Sequence, residues 1–159
     1  MILKSYEINK IKSDTDQTIL LYGQNHGAKE EAIAKILEDN KNRSISKYEE
    51  KEFIEKLETV YESIISKSLF EDKKIIIIHR ASDKIVNSIN YLQEKNINDI
   101  LIIIEANNLE KKSKLRSLFE KDKKNICIAF YPDTQETLSK IALNFFNTHN
   151  IKISRSNLN

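Results

Sequence analysis

Thr18-Ile-Leu-Leu-Tyr-Gly-Gln-Asn-His-Gly-Ala-Lys-Glu30 joins a short apolar run to two glycines and then to a charged stretch. Residues 18–22 read as a buried strand that Gly23 ends. From Ala28 to Leu37, the apolar residues Ala32, Ile33, Ile36 and Leu37 recur at helical spacing. Strand, glycine loop and helix in that order are the outline of a phosphate-binding loop. A working loop has two glycines separated by four residues, then Lys, then Ser or Thr. Its amides wrap the phosphates, the Lys reaches them, and the hydroxyl holds magnesium. Here three residues separate Gly23 from Gly27, Lys29 is not adjacent to Gly27, and Glu30 stands where the hydroxyl belongs. Glu31 adds a second carboxylate. The loop Gly23, Gly27, Lys29 is degenerate, and no nucleotide cofactor is expected.

Outward from this loop, strand and helix signals alternate. A weak strand is predicted near Arg43 to Lys47. A long amphipathic helix is predicted from about Tyr48 to Ser66, with Phe53, Leu57, Val60 and Ile64 on one stripe and Ile54, Tyr61 and Ile65 beside it. Lys74 to Ile78 is β-branched and suits a strand covered on both faces. Ser82 can cap a helix through about Gln93, with Ile85, Val86, Ile89 and Leu92 inward. Asp99 to Glu105 and Asn125 to Tyr131 read as further buried strands, separated by a helix from Leu109 to Lys121 with Leu115, Leu118 and Phe119 inward. Pro132 breaks the pattern. Asp133-Thr-Gln-Glu136 resembles a capping box, followed by Leu138, Ile141, Ala142, Phe145 and Phe146 at helical spacing. The expected fold is α/β: a parallel sheet with helices on both faces, in a domain spanning residues 1–132. Residues 133–159 read as the incomplete start of a second, helical domain.

The composition narrows the function classes. The sequence has 159 residues, of which 40% are hydrophobic and 31% charged, enough apolar material for a core. With 26 basic and 24 acidic side chains the net charge is +2, which does not suggest a dedicated nucleic-acid binder. Abundant Lys, Ile and Asn together look like a codon bias, so lysine content carries little functional weight. Cys127, the single cysteine, lies in an apolar run and reads as a small buried hydrophobe. Met1 to Tyr6 is no signal peptide, and the apolar run Ile100 to Ile104 is too short to span a bilayer, so the cytoplasm is the expected compartment and no membrane partner is expected.

Catalytic constellations are lacking. No magnesium-binding acid directly follows the Ile75–Ile78 strand, where His79, Arg80, Ala81 and Ser82 come first, and Asp83 reads as a helix-start residue. Glu105 is the best remaining magnesium candidate. His26, His79 and His149 fall on separate elements without ligand spacing, so neither metal nor catalytic residues are expected. Lys111, Lys112, Lys114 and Arg116, with Lys121, Lys123 and Lys124, could touch a nucleic-acid backbone. The interspersed Glu110, Glu120 and Asp122 favour an ordinary solvated face.

One feature can be read two ways. The long helix ends in Ser66-Lys-Ser-Leu-Phe-Glu-Asp-Lys73, which puts Leu69 and Phe70 at a helix-to-strand corner. Leu69 is four residues after Ile65, in phase with one stripe, which favours core packing. Alternatively the pair is an exposed plug that enters a pocket on a partner.

The ordered set Leu20-Leu-Tyr-Gly23, Ser66 through Ile78, Leu101-Ile-Ile-Ile-Glu-Ala106 and Leu109-Glu-Lys-Lys-Ser-Lys-Leu115 resembles the delta subunit of the bacterial DNA polymerase III clamp loader, and the match runs from Ile2-Leu-Lys-Ser-Tyr6 to the terminal helix. The resemblance implies an AAA+-like domain with a degenerate nucleotide loop and no activity of its own. It implies that Leu69 and Phe70, preceded by Ser68, enter a hydrophobic pocket on the beta sliding clamp and favour its open form during replication. It implies other clamp-loader subunits as partners where a collar domain is present, and DNA only indirectly or weakly. A divergent P-loop nucleotide-binding enzyme and a nucleic-acid-binding α/β domain are the competing readings.

Overall fold

The computed structural model describes residues 1–11, 17–66, 73–95, 97, 99–122 and 124–152. Among them the strands are β1 (Ile2–Lys4), β2 (Thr18–Gly23), β3 (Ser44–Glu49), β4 (Lys74–Ala81), β5 (Ile100–Ala106) and β6 (Ile126–Phe130). The helices are α1 (His26–Glu38), α2 (Glu50–Glu55), α3 (Leu57–Ile65), α4 (Val86–Glu94), α5 (Lys114–Lys121) and α6 (Gln135–Thr148), with 3-10 turns at Ser5–Lys10 and Asp83–Ile85. All strands pair in parallel in one sheet of order β1-β6-β2-β5-β4-β3.

The period-two alternation of a strand divides the core in two. Leu20, Ile76, Ile78, Ile102, Ile104 and Cys127 point to one face, where they meet Phe53, Val60, Ile64, Ile89, Leu115 and Phe119 from α2 to α5. Ile19, Leu21, Ile75, Ile77, Leu101, Ile103 and Ile128 point to the other, under Ala32, Ile33 and Ile36 of α1. Register aligns these layers: Leu20 lies opposite Ile104 on one side and Cys127 on the other. Each fully buried Ile or Leu contributes roughly 1.5–3 kcal/mol, which is why apolar runs interrupted by so few polar residues stay in register.

Several boundaries differ from the sequence reading. Tyr48 and Glu49 do not open the long helix. They close β3, opposite Ile78 and His79. The helix then divides at Lys56, whose backbone leaves helical values (φ −102°, ψ 16°). Hydrogen bonds from Lys56 N to Glu52 O and from Val60 N to Lys56 O persist on either side of the break. The last turn of α3 departs from the expected packing too, because Ile65 is 55% exposed while Ile64 is buried. The helix predicted from Leu109 starts at Lys114, where the Ser113 hydroxyl accepts from Arg116 N. The box at residues 133–136 is shifted by one: Thr134 is the cap, and it exchanges hydrogen bonds with Thr137. β1 is an addition, in which only Leu3 is buried. The N-terminal ammonium donates to the Asp122 and Asn125 carbonyls, and Met1 O accepts from Cys127 N.

Because all strands are parallel, their carboxyl ends share one edge. The chain passes from β5 to β6 across β2, so the order reverses at the carboxyl end of β2, the position where ligands of such sheets bind.

Candidate functional site

At that position the backbone is committed to packing. Gly23 has φ +131°, and a Cβ there would lie 2.1 Å from Phe130 O, so only glycine fits. Between β2 and α1 there are only Gln24 and Asn25. Asn25 caps α1, its Oδ1 accepting from Ala28 N at 3.1 Å and its carbonyl from Lys29 N at 3.2 Å. His26 N donates to Gln24 O, and Asn25 N donates to Phe130 O. The Asn25, His26, Ala28 and Lys29 amides, which would help surround a phosphate, are spent on the turn, on capping and on the β6 end. Gly27 is an ordinary residue of the first turn of α1, with only Asn25 Oδ1, at 4.0 Å, near its missing Cβ.

Lys29 is fully buried and points into the protein. Its Nζ donates to Ala106 O at 2.8 Å and lies 3.3 Å from Glu105 Oε1. The other carboxylate oxygen of Glu105 accepts from His79 Nδ1 at 2.7 Å, while His26 Nδ1 lies 4.0 Å from Oε1. β2–α1, β4 and β5 each supply a member of this cluster. Burial alone would raise the Glu105 carboxyl. The hydrogen bond from His79 and the charge and hydrogen bond of Lys29 outweigh burial and hold it below the ordinary carboxylate value. Glu105 is therefore the ionised counter-charge of a buried lysine rather than a waiting magnesium ligand. An arriving phosphate would find Lys29 already paired and would meet the like charge of Glu105 in a partly desolvated setting.

One sequence expectation is corrected here and one is extended. His26 and His79, read as histidines on separate elements without ligand spacing, converge on one carboxylate. Asp83, read as a helix-start residue, also holds a second helix: it accepts from Ser113 Oγ at 2.6 Å and Leu115 N at 3.0 Å at the head of α5. These hydrogen bonds, the Ser113 hydroxyl first, hold its carboxyl below the usual value. Sequence pattern could not reveal Glu105 as the partner of Lys29, since 76 positions (105 − 29) separate them. Among the described residues no group of three or more His, Cys, Asp or Glu could hold a metal ion.

The basic stretch is not a uniform cationic face. Arg116 is largely buried: Nε donates to Glu120 at 2.8 Å, Nη1 to Leu109 O at 3.2 Å, and the guanidinium lies 5.2 Å from the Tyr22 ring centroid. Lys112 pairs with Glu110 at 3.0 Å. Lys123 lies outside the described residues.

Ser68, Leu69 and Phe70 fall within residues 67–72, which also lie outside the described residues. On either side, Ser66 N donates to Glu62 O at the end of α3, and Lys73 O accepts from Ser44 N at the start of the sheet.

A family model described as DNA polymerase III, delta subunit, matches residues 19–130. The chain belongs to the DNA polymerase III delta subunit family. No curated protein matches the sequence. Among solved structures, the Bacillus subtilis DNA clamp loader delta protein (YqeN) superposes with a TM-score of 0.63 at 13% identity. The superposition covers 91% of this chain and 48% of that one, so the delta-family chain described here spans about half the length of that relative. At this identity the likeness is one of fold, an AAA+-like parallel sheet. Domain III of the Thermotoga maritima replication initiation protein DnaA aligns more loosely, with a TM-score of 0.49 at 13% identity over 98% of this chain and 71% of that one. In this delta-family member no helix of the described residues is long and apolar enough to cross a membrane.

Proposed function

We propose that the chain acts as the clamp-binding part of a clamp-loader delta subunit. In this reading it docks on the beta sliding clamp through Leu69 and Phe70, with Ser68 before them, and favours the open clamp without covalent chemistry. Family membership over residues 19–130 carries the functional class. The exposure of Ile65 supports the site. Helical phase assigned Leu69 to the core only because it continues the stripe of Ile65, and Ile65 itself faces solvent. Burying Leu69 and Phe70 in a partner pocket contributes on the order of 3–6 kcal/mol before association costs.

The rest of the reading follows from the same frame. The buried Lys29 and ionised Glu105 argue against the competing P-loop enzyme, since the residue that should grip phosphates is bonded inside. Residues 133–159 are the beginning of a helical second domain. No residue of α6 is buried, and Leu138, Ile141 and Phe145 are exposed along it. Other loader subunits are partners through further domains, DNA contact is weak or indirect, and the compartment is the cytoplasm.

Surface plasmon resonance of the chain against its cognate clamp tests the docking pair. Leu69→Ala with Phe70→Ala is expected to weaken binding on the order of 100-fold or more with the melting temperature held. Normal binding by the double variant removes the site assignment, and loss of the fold supports the core reading instead.

A further inference from the structure

Asp133 is shared between two parts of the chain. One of its carboxylate oxygens accepts from Asn25 Nδ2 at 2.8 Å, and the other accepts from the Thr137 hydroxyl at 3.0 Å. Asn25 belongs to the turn between β2 and α1, at the carboxyl edge of the sheet, and Thr137 to the first turn of α6. The Asn25 amide is fixed in this role, because its Oδ1 accepts from Ala28 N and caps α1. Only Nδ2 is left to donate elsewhere, and it meets the carboxylate. One side chain thus starts α1 and holds the approach to α6.

Little else ties α6 to the sheet. No residue of α6 is buried, and Ser139, Ala142 and Phe146, on one face, are half-buried at most. Its side-chain bonds run within the helix: Lys140 to Glu136, Ser139 Oγ to Gln135 O, and Thr148 Oγ1 to Asn144 O. Among the described residues, the bond from Asn25 to Asp133 is the one hydrogen bond that joins residues 133–152 to the chain before them. The linker adds stiffness at one point. Pro132 fixes its own φ and keeps Tyr131 extended, whereas Asp133 and Thr134 have ordinary backbone freedom. Rotation at those two residues swings α6, and the bond to Asn25 opposes it.

We propose that Asn25 and Asp133 form a polar latch that sets the direction of α6 against the sheet. The turn at the edge where parallel sheets take their ligands here holds the linker to the next element. Releasing the latch leaves α6 joined by main chain and half-buried side chains, so its direction spreads. An exposed hydrogen bond to an ionised acceptor shifts the ratio of latched to released chains by roughly tenfold. The latch does not depend on what docks at Leu69 and Phe70.

Double electron–electron resonance on the full chain reads that direction, with spin labels at Ala34→Cys on α1 and Asn144→Cys on α6, both exposed positions. Cys127 is buried, and burial pushes its thiol up to about 12, so it does not compete for label. One narrow distance distribution is expected for the labelled parent chain. Asn25→Asp keeps an oxygen to cap α1 but sets a second carboxylate against Asp133. It is expected to broaden the distribution with the melting temperature nearly unchanged. Asp133→Ala, at an exposed position, is expected to broaden it likewise. Asn25→Asp combined with Asp133→Asn exchanges donor and acceptor, and is expected to restore the narrow distribution. A parent chain that is already broad, or a distribution left unchanged by either single variant, overturns the latch. Broadening by Asn25→Asp that the exchange does not reverse overturns it too, and assigns the effect to the start of α1.

Discussion

Glu105 is the residue on which the carboxyl edge depends. It neutralises a lysine that has no exposure, and that lysine also donates to the Ala106 carbonyl. Glu105→Ala leaves a buried cation without a counter-charge, and the expected loss is about 3 kcal/mol or more of unfolding free energy in urea. Lys29→Met is expected to cost less, because Glu105 keeps His79 and part of its exposure. Equal losses would mean that the pair does not share a desolvated site. The pH dependence has a definite sign. Its folded pKa lies below the ordinary value of 4.5, so the unfolded chain binds more protons between the two values. Stability from this carboxylate is fully present above about pH 4.5 and is lost as pH falls through the folded pKa. Glu105→Gln is expected to flatten that acid limb in urea titrations taken at successive pH values. An unchanged limb would assign the acid sensitivity to other carboxylates. None of this was legible in the sequence, where Glu105 read as the best remaining magnesium candidate and His79 as a histidine without ligand spacing. Parallel strands brought them together from β4 and β5.

At the scale of elements, legibility followed the density of apolar residues. β2, β4, β5 and β6 carry nearly continuous buried runs; β2, β5 and β6 were found within a residue at each end, while β4 continues three residues past Ile78 to Ala81. β1 buries one residue, so it left no pattern; its pairing with β6, the bonds of the N-terminal ammonium and the packing of Leu3 hold it. The break at Lys56 was hidden because both pieces share one apolar period, and Tyr48 joined the strand because its partner in register, Ile78, was already there. The two glycines of the loop looked equivalent in sequence and are not. Gly23→Ala forces a Cβ against Phe130 O and is expected to lower the thermal midpoint severely, by more than about 2 kcal/mol in stability terms. Gly27→Ala lies in open helical geometry and is expected to stabilise α1 by up to about 1 kcal/mol. Thermal melts followed by circular dichroism distinguish the two. A destabilised Gly27→Ala would show that the loop keeps a conformation the cap at Asn25 does not require.

For the whole molecule, the sheet order and the reversal at β2 make the frame of a ligand-binding parallel sheet, in which Lys29 is turned inward and bonded to Glu105 and Ala106. Calorimetry with magnesium-ATP at high protein concentration is expected to show no binding heat, and a saturable signal would restore the enzyme reading. The near-balanced charge and the internal bonding of Arg116 limit the electrostatic term for nucleic acid. Any DNA binding by this chain alone is expected to be weak and steeply salt-dependent. What the frame still offers is its opposite edge, where the chain leaves α3 beside an exposed Ile65 and re-enters at β4. The family likeness was legible from short motifs in order. The state of Leu69 and Phe70 was not, because an apolar pair at a corner has the same sequence signature whether it packs inward or waits for a partner. Hydroxyl-radical footprinting of these two residues, free and with the cognate clamp, addresses that state directly. The expected result is that Leu69 and Phe70 are oxidised rapidly in the free chain and protected when the clamp is added. Protection already present in the free chain, unchanged by the clamp, would contradict it.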